Sequence, residues 1–425
     1  MSGIVFALLL LLLFAGFPIA MSLGISTSLV LYYFTTVPLT EIPRKIFTNL
    51  DSFPLVAVPF FILASNVFSV GGVAARLIRL CVAFLGHING GLAISGVASC
   101  ALFAAVSGSS PATVVAIGSI MIPAMVKAGY PRNYAVGSMA TAGSLGIMIP
   151  PSIPMVLYGF VTNESVGKLF IAGILPGILL ASMLMLVCYV VARRGNYPRS
   201  ERVSWPDRRQ AARDAAPSML LPVIIIGGIY GGIFTPTEAA AVAVAVGVVV
   251  GMFVHRELHL RDFPRILTDT GKTTAMLMFI ITMAQLFAYI LTSEQLPHNL
   301  SQWVLARDLD PWMVLLLINV ILFFAGDFMD AAPIILIMSP IFHPIAKSVG
   351  VDPIHLGVVM VMNMEMGMIT PPVGLNLYVA SGIARMPLYD VMKAAAPWIL
   401  VVVACLLIVT YVPEISLFLP RLLYK

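Results

Sequence analysis

The sequence predicts an all-α polytopic membrane protein built from two inverted copies of one unit. Three observations carry that prediction: long uninterrupted apolar runs, a scarcity of charge, and short motifs that recur at a nearly constant offset. Of the 425 residues, 60% are hydrophobic and 10% charged, with a mean hydropathy of +1.00. A soluble domain carries about 25% charged residues. A water-soluble core of this size cannot hide so much apolar surface, whereas a bilayer accepts it. At roughly 20 residues per span the chain allows about ten to twelve crossings. Only helices and closed barrels satisfy their backbone in lipid, and these runs lack the alternation of barrel strands, so the spans are helices.

The elements follow in order. Apolar segments near residues 3–36, 54–70, 91–106, 134–161 and 169–192 precede an arginine-rich loop. Segments near 218–254, 273–292, 311–325, 354–384 and 394–419 follow it. The first 17 residues lack the basic start of a cleaved signal peptide and read as the first span. Between the third and fourth segments of each half lies a short stretch rich in small residues and proline, residues 107–126 and 326–346. Each is too short and too interrupted to cross, and each reads as a re-entrant hairpin. Residues 1–195 then form the first repeat, 196–216 a linker and 217–425 the second repeat.

The two halves match motif by motif. Gly146-Ile147-Met148-Ile149-Pro150-Pro151 aligns with Gly367-Met368-Ile369-Thr370-Pro371-Pro372 at an offset of 221. At that offset Pro123 meets Pro344, Gly129 meets Gly350 and Pro176 meets Pro397. Upstream, Phe17-Pro18 aligns with Thr235-Pro236, and Asn66 with Gln285. An ordered series of this kind marks a duplication.

About five crossings per unit is an odd number, so the second copy is inverted. Arg193, Arg194, Arg199, Arg202, Arg208, Arg209 and Arg213 crowd the central loop and place it in the cytoplasm. The N-terminus is then outside, the first hairpin enters from the cytoplasm and the second from outside. Two basic stretches fit this poorly. Residues 255–272 fall outside; Leu258, Leu260, Phe263, Ile266 and Leu267 would make them an interfacial helix. Arg421 and Lys425 also fall on an external C-terminus.

Composition excludes several functions. The net charge of +5 comes from the arginine loop and is no nucleic-acid signature. The four cysteines show no CxxC spacing, so they suggest neither a metal site nor a disulfide framework. The six histidines are dispersed, and His255 and His259 lack an HExxH context. No Walker A sequence is present, so ATP hydrolysis on this chain is not expected and energy must come from an ion gradient or another subunit.

The chemistry is expected where the spans break. Two successive prolines remove backbone donors and clash with the preceding turn, which unwinds the helix. The freed carbonyls need partners inside the membrane, and a bound cation serves several at once. Inverted repeats with broken helices at matching places point to a transport site. The first hairpin reads Ser107-Gly108-Ser109-Ser110-Pro111-Ala112-Thr113. Ser109 or Ser110 is expected to cap a helix whose first residue is Pro111, leaving a helix N-terminus and hydroxyls at mid-membrane. Such an end suits a carboxylate, and the hydroxyls suit a carboxylate or Na⁺. The second hairpin holds Asp327 and Asp330 after an apolar run; an intramembrane carboxylate marks a functional site by default. Asp330 is placed to cap the hairpin helix, and either acid could hold a cation or relay a proton. Thr235-Pro236-Thr237-Glu238 is a capping box. Glu365 either pairs with a Lys or Arg or helps a cation site.

With both hairpins and both proline breaks in view, the chain resembles the large membrane subunit (DctM-like) of a tripartite ATP-independent periplasmic (TRAP) transporter, over essentially its whole length. The most specific segments begin at Ser107, Gly146, Gly231 and Gly367. The resemblance implies the ion-transporter superfamily fold and an elevator-type motion of a hairpin-bearing domain against a scaffold. It implies Na⁺-coupled symport of a small organic acid across the bacterial inner membrane, with no cofactor and no enzymatic activity. It also implies two partners, a small four-helix membrane subunit and a periplasmic substrate-binding protein. Carried over by motif, one Na⁺ site uses Ser107, Gly108, Ser109 and Ser110 with backbone near Gly143 and Gly146. Another uses Gly326, Asp327 and Asp330 with backbone near Thr370 and Gly374. Substrate falls near Ser109, Ser110, Thr113, Ser152, Asp330 and Asn376. Two other readings stand beside this one. A stand-alone Na⁺/dicarboxylate symporter of the same superfamily would need no partners. An intramembrane enzyme using Asp327 and Asp330 would need a second acidic motif, and none is present.

Overall fold

A computed structural model of the chain describes residues 2–424 except Thr36 and Leu39. Among the described residues there are helices and no strands, and ten helical stretches are long and apolar enough to cross a membrane. The first unit begins with α1 (Ser2–Phe14), α2 (Ile19–Phe34), the amphipathic α3 (Glu41–Leu50), α4 (Ala57–Val70) and α5 (Val73–Leu85). Then come α6 (Gly91–Ser107), the one-turn α7 (Ser110–Thr113) and α8 (Ser119–Lys127), the last two joined by a π-helical turn. A broken helix follows as α9 (Arg132–Ala142), α10 (Leu145–Met148) and α11 (Ile153–Thr162), and α12 (Val166–Arg194) completes the unit.

The second unit repeats the order. It comprises α13 (Trp205–Tyr230), α14 (Pro236–Val249), α15 (Phe263–Ser293), the short α16 (Leu296–Leu305), α17 (Pro311–Phe328) and α18 (Ala331–Ser348). Its broken helix is α19 (Pro353–Ile369) and α20 (Leu375–Ala384), followed by α21 (Leu388–Tyr411) and the amphipathic α22 (Glu414–Leu423). With the hairpin arms turning back at their tips, helix order leaves five passes in each unit: its first two helices, α4 or α15, the broken helix, and α12 or α21. An odd count makes the repeats inverted. The Pro150–Pro151 and Pro371–Pro372 peptide bonds are both cis, matching at the same offset as the motifs.

Three expectations are corrected here. The segments 3–36 and 218–254 are each two helices, turning at Gly16-Phe17-Pro18 and at residues 231–235. Proline starts the second helix of the latter pair because its missing N–H is not needed there. With that extra turn, residues 255–272 fall on the same side as the arginine linker. His255 Nδ1 meets the Gly71 carbonyl at 3.0 Å, Glu257 pairs with Arg76 at 2.7 Å, and Asp214, in the part of the linker that forms the start of α13, reaches Arg79 at 3.6 Å. The side opposite the linker holds few cations, namely Arg44, Lys45, Lys168, Arg307, Lys347 and Arg421 among the described residues. Arg421 there lies 3.7 Å from Glu414, while Lys425 lies outside the described residues. Finally, residues 107–126 are only one arm of the first hairpin. Its other arm is α6, which reads as a crossing by sequence alone, and α17 is likewise the first arm of the second hairpin.

The two units interlock. Tyr158 on α11 donates to the Pro353 carbonyl at 2.7 Å, at the start of the other unit's broken helix. The Arg132 guanidinium, at the start of α9, donates to the Ala384 carbonyl at the end of α20. Position 132 matches position 353 at the repeat offset, so each broken helix is tied at one end to the other.

Candidate functional site

Both hairpin tips face one cavity of about 280 Å³. Its lining includes Ser107, Gly108, Ser109, Ser110 and Ala112 from the first hairpin, and Asp330, Ala331 and Ala332 from the second. The opposite wall comes from α4 and α15 through Ser65, Asn66, Thr273 and Met276. Asn66 donates to Thr270 Oγ1 at 2.8 Å, tying the two wall helices together. These wall residues were not anticipated; the signal was a polar pair, Ser65-Asn66, inside an apolar span.

At the first tip the chain leaves α6 through Gly108, whose φ of +61° suits a residue without a Cβ. Ser109 is the N-cap, with extended backbone, and Ser110 rather than Pro111 is the first helical residue. The expected side-chain cap does not form, so the Ser109 hydroxyl is left facing the cavity region without a protein partner. Behind it three oxygens cluster. Ser107 Oγ and Thr113 Oγ1 are 2.9 Å apart, and Thr113 Oγ1 donates to the Ser109 carbonyl at 2.9 Å. Gly146 makes this packing possible, because a Cβ there would lie 2.6 Å from Thr113 Oγ1. Gly143 backs the same helix, where a Cβ would strike Val114. Ser110 exchanges hydrogen bonds with Asn376 at 2.7–3.0 Å, and Asn376 also donates to the Ala140 carbonyl at 3.2 Å. The first tip is thereby fastened to the second unit's broken helix.

The second tip has the same backbone and different chemistry. Asp330 occupies the position equivalent to Ser109 and caps α18 as expected, accepting from Ala331 N at 2.8 Å. Gly326 touches Gly367, where a Cβ would come within 2.8 Å of the Gly326 Cα. Gly367 matches Gly146 in sequence, but the contacts differ: Gly146 backs the start of the second arm at Ser109 and Thr113, whereas Gly367 meets the end of the first arm at Gly326. The Asp327 carbonyl accepts from Val373 N at 3.1 Å, and its Oδ1 is buried without a partner. The second break runs from Thr370, whose hydroxyl donates to the Met366 carbonyl at 2.7 Å, to Gly374 at φ +47°.

Not all anticipated residues line the cavity. Thr113, Ser152 and Asn376 are fully buried behind its walls, Thr113 in the oxygen cluster and Ser152 as the N-cap of α11. Glu365 has no basic partner: it is fully buried, and both carboxyl oxygens lack hydrogen bonds. Thr235 and Glu238 form the expected capping box.

Paired discontinuous helices and hairpin tips that converge inside a polytopic bundle define a secondary transporter architecture. Residues 6–415 match the family described as tripartite ATP-independent periplasmic transporter, DctM component, and the chain belongs to that family. It is 52% identical over 400 residues to a C4-dicarboxylate TRAP transporter large permease protein of Pseudomonas aeruginosa, covering 94% of each chain. Its counterpart in Rhodobacter capsulatus is 48% identical, covering 99% of each. An isethionate TRAP transporter permease protein of Oleidesulfovibrio alaskensis is 42% identical and spans 98% of this chain, which covers 66% of it. In fold the chain resembles the YdaH transporter of Alcanivorax borkumensis, with a TM-score of 0.63 over 89% of each chain at 15% identity.

Proposed function

We propose that this chain imports a small dicarboxylate by Na⁺-coupled symport, taking it from a periplasmic binding protein and working beside a small membrane subunit. The observation that carries the reading is the meeting of the two hairpin tips at one cavity, with free hydroxyl at Ser109 and a capped helix start at Asp330. The C4-dicarboxylate class is carried by the names of the two relatives near 50% identity. In this reading the arginine linker is cytoplasmic, in a bacterial inner membrane, consistent with the distribution of basic residues.

One Na⁺ joins the oxygen cluster of Ser107, Thr113 and the Ser109 carbonyl, near Gly143 and Gly146. Hard cations take such oxygens at about 2.3–2.6 Å, and the spacing of 2.9 Å between Ser107 Oγ and Thr113 Oγ1 suits a shared ion after small adjustment. A second Na⁺ joins Asp327, Asp330 and the carbonyls freed between Thr370 and Gly374. Each ion fixes a hairpin tip. Substrate then meets an already ordered site and incurs less ordering cost, which couples the two binding events positively. The hairpins, broken helices, α12 and α21 move together against the remaining helices in an elevator motion. Their charges are compensated while they cross.

Uptake into proteoliposomes, with the small subunit and binding protein supplied, tests this directly. Labelled C4-dicarboxylate accumulates under an inward Na⁺ gradient and stays near background without Na⁺. Uptake that ignores Na⁺, or is driven equally by protons, contradicts the coupling. Full activity from this chain alone contradicts the partners and leaves the site intact.

A further inference from the structure

A second cavity lies apart from the one between the hairpin tips, on the outer surface between α5, α6 and α12. It is a groove of about 440 Å³, lined by Leu80, Phe84, Leu102, Ile149, Ile178 and Met185 among others. Its depth follows from the chain. Phe84 is at the linker-side end of α5, and Ile149 stands at the opening of the first proline break, in mid-membrane. The groove therefore runs through one leaflet. An unpaired apolar slot on the outer surface suits an acyl chain.

The linker-side mouth of the groove is cationic. The Arg208 guanidinium lies 5.8 Å from the Phe84 ring and 5.9 Å from the Trp205 ring. Phe84 is itself part of the groove wall, so the charge sits at the slot's end. Arg208 Nε is buried and has no hydrogen-bond partner. Arg193 follows Met185 on the same face of α12, two turns on, and approaches Tyr189 Oη at 3.5 Å. Trp205 is largely exposed, as expected for a ring at the membrane–water boundary. The nearby acids are engaged elsewhere: Asp207 with Ser204 at 2.5 Å and Asp214 with Arg79 at 3.6 Å.

We propose that this groove binds one anionic phospholipid, its phosphate on Arg208 and an acyl chain along α6 and α12 to Ile149. Charge complementarity selects the occupant. Basic pockets between spanning helices on this side of a membrane bind acidic headgroups, and a guanidinium held by two aromatic rings is pre-oriented to give two parallel hydrogen bonds to phosphate. A zwitterionic lipid offers the same phosphate but brings an ammonium to a mouth that is already cationic, which weakens its hold. The acyl tail closes the outer side of the first break, because Ile149 is the last residue before Pro150 and packs against Gly177 of α12, where a Cβ would lie 2.6 Å from Ile149 Cγ1.

Native mass spectrometry of the full chain, copurified with its membrane partner, tests this. The probes are phosphatidylglycerol, cardiolipin and phosphatidylethanolamine added at equal concentration. The expected result is retained phosphatidylglycerol or cardiolipin in preference to phosphatidylethanolamine. Arg208→Gln lowers that preference by roughly fivefold, the scale of one basic residue near an acidic surface. Ser182→Trp, which fills the groove from the lipid-exposed face of α12, removes lipid of every class. Equal retention of the three lipids, or a preference unchanged in Arg208→Gln, overturns the proposal. So does efficient cross-linking of Ser182→Cys to the small membrane subunit, which would make the groove a protein interface.

Discussion

The two hairpin tips share a backbone and differ in charge, and the difference separates what the fold needs from what the site needs. In both, a helix ends, two residues turn and a new helix starts, with a glycine of the neighbouring break packed against the hairpin. Gly146 and Gly367 hold matching places in the breaks, Gly146 against Ser109 and Thr113 and Gly367 against Gly326. Beyond the backbone the tips diverge. The first presents hydroxyls that bond one another and Asn376. The second presents two carboxylates with few protein partners. A hydroxyl cluster is self-sufficient when empty, whereas an intramembrane carboxylate calls for a cation.

Substitutions break or sharpen that comparison. The largest effect is expected at Asp330. Asp330→Asn lowers Na⁺-driven uptake by roughly 10- to 100-fold, since hydrogen bonds and contacts to a charged group contribute about 1.5–3 kcal/mol. Ser109→Ala at the matching position costs less; an equal loss in both would show that charge does not distinguish the tips. Next come the glycines. Gly367→Ala and Gly146→Ala each force a methyl into the facing hairpin and lower thermal stability by about 1–3 kcal/mol, the cost of overpacking. Unchanged unfolding temperatures would show that neither hairpin needs a glycine at the break it packs against. Ser107→Ala follows, raising the Na⁺ concentration for half-maximal uptake by roughly two- to tenfold, the equivalent of one hydrogen bond. A curve superimposable on wild type places the first ion elsewhere. The smallest effect is expected at Glu365. Glu365→Gln keeps stability within about 0.5 kcal/mol, because no ion pair is lost and shape is preserved; a large loss would reveal a partner for that carboxyl.

Much of this was legible in the sequence, for physical reasons. Paired prolines inside apolar runs have one meaning in lipid, and both breaks stand where they were expected. The capping box at Thr235 is local chemistry and formed as read. What composition could not resolve was apolar turns. Gly16-Phe17-Pro18 and Gly231-Gly232-Ile233-Phe234 are as hydrophobic as the spans beside them, so two helices merged into one in each half. That merger put residues 255–272 on the wrong side. The hairpins were shifted by half because α6 and α17 look like ordinary spans; only the fold shows that they turn back at the tip. Thr113 and Ser152 share a motif with the cavity residues but face inward from them, a distinction that depends on helix phase. Asn66 and Thr273 come from helices far apart in sequence, and no local pattern joins them.

Thiol accessibility at the cavity is the most direct test of the account. The four native cysteines are buried and give a quiet background, and Ala112 lines the cavity beside the first tip. Ala112→Cys is expected to react with a small polar thiol reagent, and to be protected when Na⁺ and a C4-dicarboxylate are added together but not by the dicarboxylate without Na⁺. A cysteine there that never reacts, or that reacts at the same rate under every condition, would contradict a shared, ion-dependent site between the two tips.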